Sequence, residues 1–225
     1  MKGVIFDLDG VILDSMPSHV SAWQQACAET GLVMARSFFY RNEGMMDRER
    51  LCLIADESGQ SLEPDRFDDI LVRQRQIYGQ QYADRVSLFP QAADLLNRLA
   101  GNGLRLALVT SSPRRIILSD LWQWLEARFH WIVTGDQVRR TKPAPDPYLE
   151  ALHGLDLGPR AALAVENAPA GIESAKTAGL RCLALATTLS RMELSEADWI
   201  LDNHDDLAEW FARRMADDNS GQASP

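Results

Sequence analysis

The sequence has few cysteines, an excess of negative charge and no long apolar segment. Only three of its 225 residues are cysteine and none forms a Cys-x-x-Cys pair, which argues against a disulfide framework or a zinc site and favours a reducing cytoplasm. The net charge of −9 argues against binding to nucleic acid or to an anionic membrane, since both attract basic surfaces. No stretch approaches the roughly 20 apolar residues that span a bilayer. We therefore expect a cytoplasmic protein that binds neither nucleic acid nor membrane.

Short apolar runs alternate with helical patterns over most of the chain. The pattern predicts six strands, at 3–9, 104–110, 131–134, 161–165, 181–186 and 199–201. It predicts helices between and after them, at 91–100, 116–127, 146–153, 169–178 and 205–215. Because strands that alternate with helices form a parallel sheet covered on both faces, we predict a doubly wound α/β fold.

A block rich in helical patterns interrupts this alternation after the first strand. Helical spacing is found in three segments, at 18–30, 47–57 and 64–83. We predict that residues 16–81 form an inserted α-helical cap, and that residues 1–15 and 82–225 form the catalytic core. The end of the core, residues 216–225, is small and polar, so we expect a disordered tail there.

Two carboxylates follow the first predicted strand. Asp7 and Asp9 are two residues apart, so on a strand both would project to the same side, and Gly10 permits a sharp turn after them. Carboxylates this close repel each other unless a cation or a shared proton lies between them. The pair therefore indicates either a metal site with acid chemistry or an ordinary acidic turn.

Polar residues also follow the other central strands. Thr110 and Ser111 suit an anion site at a helix start, or simple helix capping. Lys142 is followed by three prolines at alternate positions that stiffen its loop, and is either a fixed cation or a solvated lysine. Glu166 and Asn167 offer oxygen to a hard cation, or cap the next helix. Because ligands of open parallel sheets bind at the carboxyl ends of strands, their joint occurrence indicates one site.

Taken together, these motifs resemble those of the haloacid dehalogenase-like superfamily over nearly the whole chain. The resemblance rests on four motifs, at Asp7–Val11 with Asp14 and Ser15, at Thr110, at Lys142–Tyr148, and at Glu166–Ile172. It extends to members with an α-helical cap, namely the β-phosphoglucomutase-like group and small-metabolite phosphatases, and implies a Rossmann-like core. Phosphatases and mutases of this superfamily have an acid at the position of Asp9, whereas dehalogenases lack it, so dehalogenation is disfavoured.

The resemblance implies a Mg²⁺-dependent phosphatase that acts on a small phosphorylated metabolite, such as a sugar phosphate. Asp7 is then the nucleophile that forms an aspartyl-phosphate, and Asp9 is the general acid and base. Thr110 and Lys142 would bind the equatorial phosphoryl oxygens.

The resemblance also implies a metal site. Its ligands would be Asp7, the backbone carbonyl of Asp9, Glu166 and Asn167. The β-phosphoglucomutase-like group usually has Asp where this chain has Asn167, and a neutral amide is a weaker Mg²⁺ ligand than a carboxylate. We therefore expect Mg²⁺ as the cofactor, bound with reduced affinity.

The predicted cap should contact the substrate and exclude water. The expected substrate contacts are His19, Gly44, Arg48, Arg73 and Arg75 of the cap, together with Ser111 of the core. Each has an ordinary alternative, because a helical histidine or arginine can equally belong to a solvated helix face.

Two other functions fit the same motifs. A β-phosphoglucomutase-like phosphomutase would transfer the phosphoryl group to a sugar hydroxyl rather than to water. A catalytically weak binding or regulatory protein is supported only by Asn167 and does not need the acid pair. We expect a monomer or weak dimer whose partner is a small phosphorylated metabolite.

Overall fold

Six parallel strands form a single sheet. The computed structural model describes residues 1–45, 47–59 and 64–220, without the side chains of residues 47, 48, 64, 65 and 217–220. The strands are β1 (Gly3–Asp7), β2 (Arg105–Val109), β3 (Trp131–Val133), β4 (Ala162–Glu166), β5 (Arg181–Leu185) and β6 (Trp199–Leu201). Their order is β3-β2-β1-β4-β5-β6, with every neighbouring pair parallel. The predicted α/β fold is confirmed, and every predicted strand forms with small changes at its ends.

Helices surround this sheet and fill the long connection after β1. In the described residues they are α1 (Met16–Glu29), α2 (Arg36–Arg41), α3 (Asp47–Ser58), α4 (Pro64–Ile77), α5 (Ala92–Gly101), α6 (Ser119–Glu126), α7 (Asp146–Leu155), α8 (Pro169–Thr177) and α9 (His204–Ser220). None of them is long and apolar enough to cross a membrane.

The structure adds one helix to the sequence prediction and moves three helix boundaries by three residues or more. The six-residue helix α2 was not predicted, because so short a segment shows little periodicity. The helix predicted at 64–83 ends at Ile77 and continues as a π-helical turn, Tyr78–Tyr82, which contains a helix-weakening glycine. The helix predicted at 116–127 begins only at Ser119, so Ile116, Ile117 and Leu118 lie before it. Helix α9 extends to Ser220 rather than ending at 215, so residues 216–220 of the predicted tail are helical, and the rest of that tail lies outside the described residues.

Alternate side chains of β1 point to opposite faces of the sheet. Val4 and Phe6 pack into the cluster formed with α5, α6 and α9, whereas Ile5 packs into the cluster formed with α7 and α8. This is the period-two alternation of a strand that is buried on both faces. The sheet is thus covered on each side, as a doubly wound fold requires.

The helices between β1 and β2 have a hydrophobic core of their own. This helical segment (α1–α4) packs around Trp23, Phe38, Phe39, Ile54 and Ile70, all of them buried. Its cluster is separate from the two clusters that cover the sheet.

The strand order places a switch point between β1 and β4. The chain runs outward from β1 to β2 and β3, then returns to place β4 on the other side of β1. In open parallel sheets, a crevice opens at the carboxyl ends of the two strands that flank such a point. Asp7 ends β1 and Glu166 ends β4, so both carboxylates lie at this crevice.

A buried histidine anchors the loop that follows β1. His204, the first residue of α9, places ring Nε2 at 2.7 Å from the carbonyl oxygen of Val11, and its ring stacks on Phe89 at 4.0 Å. Burial is the main reason that the pKa of His204 lies below its ordinary value, so the ring is neutral and Nε2 donates to the carbonyl.

We expect this histidine to make the fold less stable in mild acid. Because the pKa of His204 is lower in the folded chain than in the unfolded chain, the unfolded chain binds more protons below about pH 6.5, and stability falls as pH decreases. Denaturant titrations at pH 7.5 and pH 5 should show a smaller pH-dependent loss in His204→Gln than in wild type. The exposed His153 provides the matched control, and His153→Gln should retain the wild-type loss. Equal losses in all three proteins would contradict the assignment.

Candidate active site

The loop after β1 positions two carboxylates in different surroundings. Strand β1 ends at Asp7, so the strand alternation predicted for Asp7 and Asp9 does not hold for Asp9. A tight turn places Asp9 instead: the Leu8 carbonyl accepts the N–H groups of Ile12 and Leu13, each at 2.9 Å. Within this turn Gly10 has a φ of 81° and lies so close to Asn167 that a Cβ would clash with its amide. The turn therefore needs glycine for both its conformation and its packing.

A buried lysine joins the carboxylates of β1 and β4. Lys142 Nζ lies 2.5 Å from Asp7 Oδ1 and 2.6 Å from Glu166 Oε1, and the lysine is 1% exposed. The Tyr148 hydroxyl donates a second hydrogen bond to Glu166 Oε1, at 2.6 Å. The structure thus brings together three of the predicted site residues and adds Tyr148, which the sequence offered only as part of a motif.

Burial and the neighbouring charges shift the pKa values of Asp7 and Lys142. Burial raises the pKa of Asp7 to about 8 against the opposing charge of Lys142, while Glu166 and Asp9 add further increases. For Lys142, burial would lower the pKa, but the charges of Asp7 and Glu166 outweigh it and hold the pKa above its ordinary value. The ammonium therefore stays charged between two acids.

Asp9 has its own partners, separate from the lysine. Its Oδ1 accepts a hydrogen bond from the Ser15 hydroxyl at 2.5 Å and lies 3.6 Å from Nε2 of His19. Burial would raise the pKa of Asp9, but the contact and charge of His19, with the Ser15 hydrogen bond, outweigh it and lower the pKa. His19 in turn stacks on Tyr78, with ring centroids 4.2 Å apart, so a helix of the segment α1–α4 reaches the acid pair.

Asn167 contacts an acid that sequence reasoning missed. Its side-chain amide donates to Oε1 of Glu43 at 3.1 Å, and Glu43 lies in the loop between α2 and α3. Burial is the largest cause that raises the pKa of Glu43 well above its ordinary value. No local pattern distinguished Glu43, because its partner is 124 positions away in the sequence.

The loop after β2 places the predicted Ser111 at the cavity and buries the predicted Thr110. The Thr110 hydroxyl accepts the N–H of Ser112 at 3.0 Å, and Thr110 is 2% exposed. Ser111 and Ser112 line the cavity, whereas Thr110 does not. Ser111 also donates its hydroxyl to the carbonyl oxygen of Gly44 at 2.8 Å.

Of the arginines predicted to bind substrate from the helical segment, one lines the cavity and another does not. Arg75 lines the cavity, as do His19 and Gly44. Arg73 instead pairs with Glu29 on α1 at 2.6 Å and does not line the cavity. The Arg48 side chain lies outside the described residues, so its predicted role stays a prediction.

Most of these groups line one cavity between the helical segment and the carboxyl end of the sheet. Its volume is about 720 Å³, within the range of small-molecule sites. Asp7, Asp9 and Glu166 line its floor with Lys142. Apolar residues line another part, among them Met16, Leu88, Ile117 and Leu121.

The oxygen groups at β1 and β4 suit a hard divalent cation, although the acids alone do not form a cage. Among the described residues, no three His, Cys, Asp or Glu side chains are arranged to hold a metal. A cation site here would therefore need the Asn167 amide oxygen and a backbone carbonyl beside the carboxylates of Asp7 and Glu166, all of them ligands that Mg²⁺ accepts. One buried oxygen nearby, Oε2 of Glu43, has no hydrogen-bond partner in the part of the chain that the structure describes. The donor chemistry thus fits Mg²⁺.

The fold and this site define a hydrolase family. The family model for haloacid dehalogenase-like hydrolases matches residues 4–185. The chain therefore belongs to the haloacid dehalogenase-like hydrolases, which confirms the resemblance found in its motifs.

Relatives and solved structures agree with this assignment. The chain is 32% identical to Protein CbbY of Rhodobacter capsulatus over 212 residues, which cover 88% of this chain and 92% of that protein. It is 30% identical to a phosphorylated carbohydrates phosphatase of Thermotoga maritima over 182 residues, 80% of this chain and 82% of the relative. The structure of a CbbY variant from Rhodobacter sphaeroides in complex with xylulose 1,5-bisphosphate matches with a TM-score of 0.74 at 28% identity, covering 90% of this chain and 94% of that one. These findings support the predicted enzyme class, a phosphoric monoester hydrolase.

Proposed function

We propose that the chain is a Mg²⁺-dependent phosphatase that hydrolyses a small phosphorylated metabolite through an aspartyl-phosphate on Asp7. The observation that supports this most strongly is the geometry at the switch point. There Lys142 holds the carboxylate of Asp7 at 2.5 Å, while Asp9 lies two residues away with separate partners. Two acids in different environments can take different roles in one reaction.

In the first step an oxygen of the Asp7 carboxylate attacks phosphorus, and the bond from phosphorus to the leaving oxygen breaks. Lys142, fixed between Asp7 and Glu166, faces the negative charge that spreads over the phosphoryl oxygens. A divalent cation bound by Asp7, Glu166 and Asn167 would lower the pKa of Asp7 and neutralise part of the phosphoryl charge.

Asp9 transfers the protons. A phosphoryl dianion entering the cavity raises the pKa of Asp9, because like charges favour the protonated form. Protonated Asp9 then gives its proton to the leaving oxygen, and the resulting carboxylate takes a proton from the water that attacks the acyl phosphate. His19 and Ser15 keep the Asp9 side chain in place for both steps.

We propose a sugar phosphate as the substrate class and the helical segment as a cap over it. A relative is named as a phosphatase of phosphorylated carbohydrates, and another relative binds xylulose 1,5-bisphosphate. The cavity of about 720 Å³ has room for such a molecule, and Arg75 and His19 of the helical segment line it. We further propose that residues 16–81 act as the cap, since α1–α4 have their own hydrophobic core and cover the carboxyl end of the sheet.

We expect a cytoplasmic location and small-molecule rather than macromolecular partners. The three cysteines are free, which suits a reducing compartment.

The test of this function is phosphate release from a panel of sugar phosphates and other small phosphate esters, with Mg²⁺ and with excess chelator. We expect Mg²⁺-dependent release from at least one compound, and at least 10²-fold slower release from Asp9→Asn, because a positioned acid and base typically contributes 10²–10⁴-fold. The exposed Asp14 lies in the same loop but outside the cavity, so Asp14→Asn is the matched control and should keep wild-type activity.

Other outcomes would redirect the assignment. Isomerised product from a hexose 1-phosphate, without free phosphate, would replace the phosphatase with a phosphomutase. No turnover of any compound, with Mg²⁺ present and the protein folded, would contradict both enzymes and support the binding protein.

A further inference from the structure

Glu43 is a buried acid that extends from the cap into the cavity of the core. The residue is 5% exposed and lies in the loop between α2 and α3. Its Oε1 accepts a hydrogen bond from the amide of Asn167 at 3.1 Å. Its Oε2 is the only buried carboxylate oxygen among the described side chains without a hydrogen-bond partner.

Contacts on both sides fix the position of Glu43. Before it, the carbonyl oxygen of Asn42 accepts two hydrogen bonds from the Arg50 guanidinium, at 3.2 and 3.0 Å. After it, the carbonyl oxygen of Gly44 accepts the Ser111 hydroxyl of the core at 2.8 Å. The cap therefore holds one side of the loop and the core holds the other, so the carboxylate enters the cavity when the cap lies on the core.

The other acids at this end of the cavity have partners that Glu43 lacks. Asp7 and Glu166 share the ammonium of Lys142, and Asp9 is bound by Ser15 and lies near His19. Among the described side chains, the one that Glu43 contacts by a hydrogen bond is the neutral amide of Asn167. A buried carboxylate without a cation is costly, because desolvation is not offset by an opposite charge.

The neutral residue at position 167 is what permits this arrangement. Asn167 donates to Glu43, whereas an aspartate there would place two carboxylates within contact distance and they would repel each other. The core thus presents an amide at the end of β4, and the cap provides the carboxylate beside it.

We propose that Glu43 belongs to the divalent-cation site, where it acts as a carboxylate carried by the cap and positioned by Asn167. The inference rests on the Mg²⁺ site of the proposed function. Because Glu43 faces the site only when the cap lies on the core, cation binding and cap closure favour each other, and this coupling is reciprocal. Asn167 is then a positioning residue for Glu43 as well as an oxygen ligand.

The test is the affinity of the full chain for Mg²⁺ alone, measured by isothermal titration calorimetry without substrate. We expect Glu43→Gln, which keeps the size of the side chain but removes its charge, to weaken Mg²⁺ binding about tenfold, as loss of a group that supports a metal site typically does. Glu49, on the same cap and exposed, gives the matched control: Glu49→Gln should bind Mg²⁺ as tightly as wild type.

A double variant separates the charge of Glu43 from its hydrogen bond. In Glu43→Gln combined with Asn167→Asp, the amide and the carboxylate exchange places, so the contact and the number of charges are kept. We expect this variant to recover Mg²⁺ affinity to within a few-fold of wild type. A purely structural role for Glu43 would leave Mg²⁺ affinity unchanged in the single variant.

A measurement on the wild-type chain tests the coupling without any substitution. Amide hydrogen exchange of the loop at 41–45 should slow when Mg²⁺ is added, and loop exchange that is unchanged at saturating Mg²⁺ would overturn the coupling. Wild-type affinity in Glu43→Gln would overturn the role of Glu43 and leave the proposed function intact. Failure of wild type to bind Mg²⁺ at all would contradict the metal site of the proposed function itself.

Discussion

Replacing Asp7 with asparagine should lower phosphate release by at least about 10⁴-fold, because loss of a nucleophile removes the covalent route. An amide oxygen is a weak nucleophile, and it offers Lys142 a neutral acceptor in place of a charge. The measurement is the steady-state rate with saturating Mg²⁺ on the best compound of the panel. Circular dichroism and a denaturant titration of the variant will separate lost chemistry from lost folding.

Asp14→Asn is again the matched control, since the same change in the same loop removes a charge that does not line the cavity. Wild-type turnover by a folded Asp7→Asn variant would contradict the aspartyl-phosphate. A loss of equal size in both variants would mean that the loop after β1, rather than the nucleophile, had been damaged.

Replacing Lys142 with methionine should destabilise the chain by about 3–5 kcal/mol at neutral pH, the typical cost when one partner of a buried ion pair is removed. The lysine is 1% exposed and contacts Asp7 and Glu166, so its loss leaves two buried acids without the ammonium that they share. Denaturant titration of the free protein measures the change.

A second lysine provides the control for this prediction. Lys176 pairs with Asp198 at 2.8 Å, but its side chain is 40% exposed, so Lys176→Met should cost less than about 1 kcal/mol. The Lys142 variant should also regain stability as pH falls from 7 toward 5, because its unpaired acids bind protons more readily in the folded chain. Equal losses in the two variants would contradict a buried charge cluster.

The sheet and most of the predicted site follow from short-range patterns. Apolar runs, their alternation with helices and the polar residues at strand ends predicted that Asp7, Lys142 and Glu166 would meet, although they are far apart in the sequence. This works because parallel strands bring their carboxyl ends to one edge of the sheet.

Other features depend on packing that no local pattern contains. Glu43 could not be predicted as a site residue, because its contact is with Asn167, 124 positions away in the sequence. Arg73 resembled a substrate-binding cation in the sequence, but the packing of α4 on α1 brings it to Glu29. Asp9 was expected on the same strand as Asp7, whereas a turn closed by backbone hydrogen bonds places it. Helix faces and turn closure are set by tertiary contacts, which explains these differences.

The most direct test of the central claim is to trap the covalent intermediate on Asp7. The chain would be mixed with a phosphate ester that it hydrolyses and that carries a radiolabel in its phosphoryl group, and the reaction would be quenched in acid within one turnover. One portion would be counted for protein-bound label, and a second would be treated with borohydride, which reduces an aspartyl-phosphate to homoserine and releases the phosphate. We expect labelled protein during turnover, homoserine at position 7 in the peptide map, and no label on Asp7→Asn. Turnover without labelled protein, or label on another residue, would contradict the covalent intermediate on Asp7.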